Sequence, residues 1–320
     1  MRVLKVAAAV AVTLAAGLAS RTQAAQKFIS IATGGTGGAY FPIGAGLADL
    51  INHKLAGYNA SAEVTAASKV NCINVNDGKS DLALVLGDTL AYGYEGDKLG
   101  GFNKPLPNLR AIANIYPNII QIVARKDSGI TRLADLKGKK VSVGAPGSGT
   151  EINARQILAA AGLSYADFAR TDYLSFSESA DEMKNRTIDA TLISSGLPNP
   201  GIMDIATSQD IVIVPVEAAV QQKLSKEHPF FVASTIPANT YRDQPKAVET
   251  VAVPNFLITR AGLDDQTVYE ITKVMFGNLD RLVQAHAAAK GIHLESAVTG
   301  LPVPLHPGAA RFYREMKILK

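Results

Sequence analysis

One pattern occurs twice in this chain and constrains its fold more than any other feature: an apolar run, a glycine-rich loop and then residues at helical spacing. The first copy reads FISIA and TGGTGGAYFPIG (residues 28–44), and the second reads VSVGA and PGSGT (residues 141–150). Each copy continues with a second strand-like run, a serine-containing turn, a helix and a further apolar strand. Strands that alternate with helices in this way indicate βαβ units with mostly parallel sheets.

The agreement between the copies extends to an acidic residue, Asp81 or Asp189, just before the last strand of each unit. We therefore predict an α/β protein of two lobes, each a mostly parallel sheet flanked by helices. Ligands of such sheets bind beyond the carboxyl ends of the strands. Because both glycine loops follow strands, they are expected to face each other across a cleft that closes about a hinge.

Two long apolar runs are candidates for the hinge. Residues 110–124 contain Pro117, and residues 250–259 contain Pro254. Proline fixes φ, so each is expected to break its strand or change its direction.

These positions define the predicted lobes. The first lobe comprises residues 26–114 and 254–320, and the second comprises residues 115–253. Helices expected near residues 267–289 and 309–317 are predicted to pack back on the first lobe.

The N-terminal segment has the order of a secretory signal peptide: basic residues, an apolar run of about 14 residues and then small residues. We predict a signal peptide over residues 1–24 and a mature protein exported to the periplasm. Three basic residues of that segment, Arg2, Lys5 and Arg21, account for most of the net charge of +4. No clustered basic face is expected, and therefore no nucleic-acid partner.

The glycine loops do not match the motifs of nucleotide sites. The dinucleotide pattern fails because Tyr40 stands where its last glycine is required, and the phosphate loop fails because Thr150 replaces its lysine. The nucleophile elbow also fails, with Pro146 two residues before Ser148. The single cysteine and five scattered histidines form no metal motif, so we predict no metal, no cofactor and no enzyme activity.

What remains is a site for a small anion. Helix N-termini carry partial positive charge and free N–H groups that bind anions. Gly37 and Gly38 allow close approach to the main chain, Ser148 and Thr150 add hydroxyl donors, and Tyr40 offers a phenolic donor and a ring. Two such loops suit a ligand that bridges the lobes.

Several longer motifs resemble the TAXI family, the solute-binding subunits of TRAP transporters. The resemblance covers the chain from about Phe28 to the C-terminus. It rests on TGGTGGAYFPIGAGLA, LPNLRAIANIYP, DLKGKKVSVGAPGSGTEINARQIL, LSFSESADEM, IDATLISSGLPNP and GLPVPLHPGAARFYRE.

The resemblance implies a two-lobed periplasmic type II binding-protein fold, expected to be a monomer. It implies delivery of a glutamate, 2-oxoglutarate or similar dicarboxylate to an ion-gradient-driven TRAP permease. Together with the glycine loops, it gives the predicted ligand-binding residues: Gly35, Thr36, Gly38, Tyr40, Ser68, Asp88, Gly147, Ser148, Gly149, Thr150, Ser195, Gly196 and Pro198.

The first lobe departs from the pattern of that family at two places. Thr65-Ala66-Ala67-Ser68 stands in place of T-G-G-S, and Leu86-Gly87-Asp88 stands in place of Q-S-D. Asp88 either accepts a hydrogen bond from a ligand ammonium or caps the following helix. Arg155 either faces the cleft or pairs with Glu151 four residues earlier.

Three other functions remain open at this point. They are a receptor for an ATP-driven importer, an enzyme on the same fold, and an adhesin-like or sensor protein that uses the ligand only as a signal. The enzyme requires a catalytic histidine, cysteine or metal cluster in the cleft.

Overall fold

The computed structural model describes residues 26–320. The predicted signal peptide, residues 1–24, lies outside the described residues. Over the described range, no helix is both long and apolar enough to cross a membrane.

Ten strands and ten α-helices form the described structure. The strands are β1 (Lys27–Ala32), β2 (Tyr58–Glu63), β3 (Leu82–Leu86), β4 (Leu109–Arg125), β5 (Lys140–Ser142), β6 (Arg170–Asp172), β7 (Ala190–Ser195), β8 (Ile211–Val214), β9 (Val232–Ile236) and β10 (Val248–Arg260). The helices are α1 (Tyr40–Lys54), α2 (Ser68–Asn76), α3 (Gly87–Glu95), α4 (Gly149–Ala160), α5 (Phe176–Lys184), α6 (Pro200–Ser208), α7 (Ala218–Glu227), α8 (Asp265–Phe276), α9 (Leu279–Ala285) and α10 (Pro307–Glu315).

The two copies of the sequence pattern fold into matching units. In the first, β1 lies between β2 and β3 and runs parallel to both, and in the second, β5 has the same place between β6 and β7. The prediction of an α/β fold with two lobes is confirmed. The structure adds antiparallel strands that join the units into one mixed sheet, in the order β2-β1-β3-β10-β4-β7-β5-β6.

Each of the two matching aspartates connects neighbouring strands within its own unit. Asp81 accepts the N–H of a β1 residue and forms a salt bridge with Arg260 at 2.7 Å. Asp189 accepts the N–H of a β5 residue and forms a salt bridge with Arg125 at 2.9 Å. Both arginines end a long antiparallel strand, so the repeated acidic residue serves the architecture.

Those long strands, β4 and β10, pair with each other along both lobes. Pro117 lies opposite Pro254, and the register shifts between Pro254 and Phe256. Of the two effects expected of each proline, a strand break does not occur, because both strands continue through it, and a change of direction stays a prediction. Because the two prolines face each other, the two missing N–H groups fall at the same point of the ladder. The register shift at that point accommodates the lost hydrogen bonds. The lobe boundaries placed beside these prolines stay a prediction.

The C-terminal helices pack on the first unit, as predicted. Ile271 and Met275 of α8, Leu282 of α9 and Phe312 of α10 share one buried core with Ile51 of α1. Burial of such side chains contributes about 1.5–3 kcal/mol each. The last 50 or so residues therefore complete the lobe in which the chain begins.

Candidate ligand-binding site

A cleft lies between the lobes, and four helices begin at it: α1 and α2 from the first lobe, α4 and α5 from the second. The volume of the cleft is about 530 Å³, including the solvent space at its opening. The residues that line it are Gly34, Gly35, Gly38, Ala39, Tyr40, Thr65, Ala66, Ala67, Ser68, Leu86, Asn118, Ala145, Ser148, Gly149, Thr150, Ser175, Phe176, Ser194 and Ser195.

Most of the predicted site residues come together at this cleft. Those that line it are Gly35, Gly38, Tyr40, Ser68, Ser148, Gly149, Thr150 and Ser195. Those that do not are Thr36, Asp88, Gly147, Gly196 and Pro198. Thr36 is exposed at the tip of the first glycine loop, and Pro198 is half-buried after a cis peptide bond with Leu197.

Two of the residues outside the lining make contacts between the lobes. The Gly147 carbonyl accepts the Val70 N–H at 3.3 Å. A Cβ on Gly196 would lie 2.4 Å from the Cβ of Ala288, so only glycine fits there. Both contacts join the two lobes, and a role of these residues toward a ligand stays a prediction.

Tyr40 contributes its ring to the cleft and directs its hydroxyl elsewhere. The hydroxyl donates to Asn255 Oδ1 at 2.7 Å, Asn255 donates to Asn118 at 2.7 Å, and Asn118 donates to the Ser194 carbonyl at 3.0 Å. Burial raises the pKa of Tyr40, so the phenol is neutral. The expected phenolic donor is thus used inside the protein, because the two asparagines on β4 and β10 connect the lobes behind the cleft.

Three serines in the lining hold their hydroxyl oxygens in place with backbone N–H groups. Ser148 and Ser175 are N-caps of α4 and α5, and each accepts the N–H three residues later, at 3.1 and 3.3 Å. Ser195 accepts the Ala39 N–H from the other lobe at 3.3 Å. Within the described residues, none of these hydroxyls donates to a protein acceptor, so each hydroxyl hydrogen is free to bond a ligand.

The first turns of the helices add further donors. Within residues 26–320, the backbone N–H groups of Ser68, Gly149 and Thr150 have no acceptor, as expected for first-turn positions. The Thr150 side chain is 5% exposed and its hydroxyl has no partner in the same range. These donors all belong to residues that line the cleft.

Ala67, just before α2, has φ +72° and ψ −145°, a conformation that essentially only glycine adopts. Ala67 stands at a position where the pattern of the TAXI family has glycine. Ala67 therefore holds the chain in a strained turn at this side of the cleft.

Asp88 is completely buried in the first turn of α3, where it contacts α4. One carboxylate oxygen accepts the N–H and hydroxyl of Thr89, and the other accepts Asn153 Nδ2 at 2.7 Å. Burial raises the pKa of Asp88 to about 6, against these hydrogen bonds. Asp88 thus bridges the lobes through Asn153. It is not the N-cap of α3, which is Leu86, and its contact with a ligand stays a prediction.

The lining of the cleft, taken over the described residues, carries no charged side chain. Arg155 pairs with Glu151 at 2.9 Å, as one of the two sequence interpretations held. Among residues 26–320, no group of three His, Cys, Asp or Glu side chains is placed to hold a metal ion. The arrangement can bind an anion through hydroxyls, N–H groups and helix dipoles.

Sequence reasoning missed a further set of lining residues, most of them small. They are Gly34, Ala39, Thr65, Ala66, Ala67, Leu86, Asn118, Ala145, Ser175, Phe176 and Ser194. One signal was present in the sequence. Ser175 and Glu178 form an S-x-x-E capping box at the start of a helix, whereas the comparison of the two repeats placed Ser175 in the second strand of its unit. Asn118 carried no such signal, because a polar residue within an apolar strand is read as an irregularity.

Together, the mixed sheet and the cleft at the strand ends define the class of the protein, a two-lobed type II periplasmic binding-protein fold. A family model described as the NMT1-like family matches residues 31–316, and the chain belongs to that family.

Three solved structures are similar to this chain. The binding-protein component of an ABC phosphonate transporter from Pseudomonas aeruginosa has 15% identity and a TM-score of 0.51, over 83% of this chain and 80% of that chain. A protein of Bordetella bronchiseptica RB50 has 18% identity and a TM-score of 0.51, over 92% and 82%. The alkanesulfonate-binding protein SsuA from Xanthomonas axonopodis pv. citri, bound to MOPS, has 14% identity and a TM-score of 0.47, over 93% and 96%. At these identities the similarity shows the fold alone.

The assignment to the TAXI family is therefore wrong, since the family that matches is the NMT1-like family. The TRAP permease as partner and the glutamate, 2-oxoglutarate or dicarboxylate ligand rested on that assignment and are corrected with it. The similar structure with a transporter in its description belongs to an ABC system for phosphonate. The shared strand–glycine loop–helix motifs specify the common fold and so did not separate one family of binding proteins from another.

Proposed function

We propose that this protein is the solute-binding receptor of an ATP-driven (ABC) importer, that it acts in the periplasm, and that it captures a small organic anion. One observation carries the proposal: four helix N-termini from both lobes meet at a single cleft whose lining offers unpaired donors. Each N-terminus favours a negative charge. In a closed cleft with little water, such dipoles act more strongly than in solution.

The glycine loops explain how capture closes the cleft. A Cβ on Gly37 would lie 2.7 Å from Ser177 Oγ in the second lobe, and a Cβ on Gly149 would lie 2.5 Å from Leu86 in the first. Each loop therefore approaches the opposite lobe more closely than any larger residue allows. An anion that bonds both lobes at once stabilises this closed form, which is the form an importer would recognise.

Two further points support the importer and the compartment. The Pseudomonas aeruginosa protein is described as the binding component of an ABC transporter, and its fold is similar over most of both chains. The N-terminal segment has the composition of a signal peptide. The described lining of the cleft has hydroxyl and amide groups and no acid–base pair, and this supports binding without catalysis.

The test is a binding screen on the mature chain from residue 26. Titration calorimetry and thermal unfolding are measured with small organic sulfonates and phosphonates, and with uncharged amides or alcohols of the same size. At a ligand concentration of 100 times Kd, stability rises by about 2.7 kcal/mol, which raises Tm by several degrees. We expect anions alone to do this. A protein stabilised only by the uncharged compounds, or by none, would contradict the proposal.

The importer is tested separately. The receptor is added to proteoliposomes that contain an ATP-driven permease from the same organism, and ATP hydrolysis is measured. We expect stimulation by the loaded receptor and little by the ligand-free receptor. Binding without stimulation would leave an anion-binding protein but reject the transport role.

A further inference from the structure

We propose that two buried asparagines of the second lobe, Asn153 and Asn199, are positioning residues that set the affinity of the cleft by holding the lobes closed, without touching the ligand. Neither of them belongs to the residues that line the cleft. The inference rests on the proposed function, because it assigns the residues that hold the closed form of that receptor. It follows from the groups that each side-chain amide bonds on its own lobe and on the other lobe.

The first position lies where the first glycine loop meets the start of α6. Asn199 is the N-cap of α6 and is completely buried. Its Oδ1 accepts the Ile202 N–H at 3.0 Å within its own lobe, and its Nδ2 donates to the Gly37 carbonyl of the first lobe at 3.1 Å. The Gly201 N–H donates to the same carbonyl at 3.2 Å. A carbonyl of one lobe therefore accepts hydrogen bonds from the helix start of the other lobe.

The second position lies between α3 and α4. Asn153 is 1% exposed, and its Nδ2 donates to one oxygen of the Asp88 carboxylate at 2.7 Å. Its Oδ1 accepts the hydroxyl of Ser194 at 3.1 Å within its own lobe. Asn153 therefore repeats the arrangement at Asn199. In both residues the side-chain oxygen bonds to the second lobe, and the side-chain nitrogen bonds to the first.

The two ends of an amide are not interchangeable, since the oxygen only accepts and the nitrogen only donates. In both asparagines the bond within the second lobe fixes the oxygen, so the nitrogen is directed at the acceptor on the first lobe. When the lobes close, these groups are buried, and a missing partner weakens the closed form about tenfold or more. Ligand affinity rises with the fraction of molecules in the binding-competent form. Loss of either bond should therefore lower affinity although the lining of the cleft is unchanged.

Asn199→Ser tests the first position. Serine is also a strong N-cap, so α6 keeps its cap and the net charge is unchanged, but no side-chain donor reaches Gly37. We expect affinity for the most tightly bound compound of the binding screen to fall about tenfold or more in calorimetry. The dissociation rate should rise, and the Tm of the ligand-free protein should change little.

Asn278→Ser is the matched control for this variant. Asn278 also stands just before a helix, α9, and its amide donates to the Val274 carbonyl at 2.8 Å, within the first lobe. The same substitution there removes an amide hydrogen bond that does not join the lobes. It should lower the Tm of the ligand-free protein and leave the affinity unchanged.

An exchange of two side chains tests the second position. Asn153→Asp sets two carboxylates against each other, and in Asp88→Asn the single amide oxygen cannot replace both carboxylate oxygens, which accept from Thr89 and Asn153. Each change should weaken binding about tenfold or more. The double variant Asp88→Asn/Asn153→Asp restores one amide and one carboxylate with the net charge of the wild type. We expect it to recover most of the affinity, whereas independent losses in the two helices would add.

The outcomes separate this inference from the proposed function. Unchanged affinity in Asn199→Ser, or losses that add in the double variant, would overturn the inference. If only an uncharged compound of the screen binds, the proposed function fails, and the same measurements with that compound still test the two asparagines. If nothing binds, small-angle scattering of the ligand-free protein decides: Asn199→Ser should be less compact than the wild type, and equal radii of gyration reject the inference.

Discussion

At the scale of single residues, Asp88 shows how a carboxylate can serve the contact between lobes instead of the ligand. It is fully buried, and its partner Asn153 in turn accepts the hydroxyl of Ser194, which lines the cleft. The titratable side chains that face Asp88 are Tyr40, Cys72 and Tyr92, all neutral, and burial raises the pKa of each. No cation therefore offsets the cost of ionising Asp88 among the described groups.

The pKa of Asp88 predicts a specific pH dependence of stability. Burial raises this pKa from 3.8 to about 6. A raised pKa favours the protonated folded state, so its contribution is complete below pH 4 and is lost as pH rises to about 6. A shift of roughly two pH units corresponds to about 3 kcal/mol. We expect the stability of Asp88→Asn minus that of the wild type to increase between pH 4 and 6, as measured by urea unfolding.

Asp189→Asn is the control with the opposite sign. Burial raises the pKa of Asp189, but the Lys140 N–H and Arg125 lower it more, and the net shift is downward. Its contribution is present above the unfolded pKa and is lost as pH falls. Asp189→Asn should therefore be destabilised near neutral pH, with the loss shrinking in acid. A stability difference for Asp88→Asn that does not change across pH 4–6 would refute the assignment.

At the scale of elements, each glycine loop joins a strand of one lobe to a helix whose start touches the other lobe. Gly37 approaches Ser177 at the start of α5, and its carbonyl accepts Asn199 Nδ2 at 3.1 Å. Gly149, the first residue of α4, approaches Leu86 and Ser68. The absence of a side chain at these glycines is thus required by contact between lobes and not by a tight turn alone.

Gly149→Ala is expected to impair closure while leaving each lobe folded. The added Cβ would lie 2.5 Å from Leu86 Cδ1 and 2.9 Å from Ser68 Oγ, both atoms of the first lobe. Overpacking of this kind costs about 1–3 kcal/mol, so affinity for the best anion should fall roughly tenfold or more in calorimetry. The Tm of the ligand-free protein should change little. Gly262→Ala is the control, since nothing lies within 4 Å of its Cβ position. Equal affinities in the two variants would exclude this role of Gly149.

At the scale of the whole molecule, two long strands connect the lobes. β4 and β10 pass from one lobe to the other side by side, with Pro117 opposite Pro254 at the middle. Behind the cleft, Asn255 and Asn118 bond to each other and join Tyr40 to the second lobe. A connection through two paired strands favours bending about one axis over free rotation.

This geometry predicts that ligand binding makes the molecule more compact. Small-angle X-ray scattering of the mature chain should give a smaller radius of gyration with a bound anion than without it. In Gly149→Ala, the decrease should be smaller at matched saturation. The same data report the mass and so test the expected monomer. An identical radius of gyration with and without ligand would argue against closure as the response to binding.

Much of the fold could be predicted from the sequence because its determinants are local. The spacing of apolar residues and the positions of the glycine loops located the repeated units. The packing of the C-terminal helices on the first lobe was also predicted correctly. The site was predicted in part: Ser148, Gly149 and Thr150 lie in the lining, as their motif indicated. Asn118 and Leu86 were missed because strands from distant parts of the chain bring them to the cleft.

The sequence by itself determined that strands and helices alternate in two repeated units, and that a glycine loop leads into a helix in each unit. These follow from hydrophobic period, capping residues and backbone freedom over a few residues. Only the tertiary structure decided that Asp88 is buried outside the cleft lining, that the Tyr40 hydroxyl donates a hydrogen bond to Asn255, and that both strands continue through their prolines. The physical reason is that these outcomes depend on which groups meet across the lobe contact, and residues far apart in the chain supply those groups.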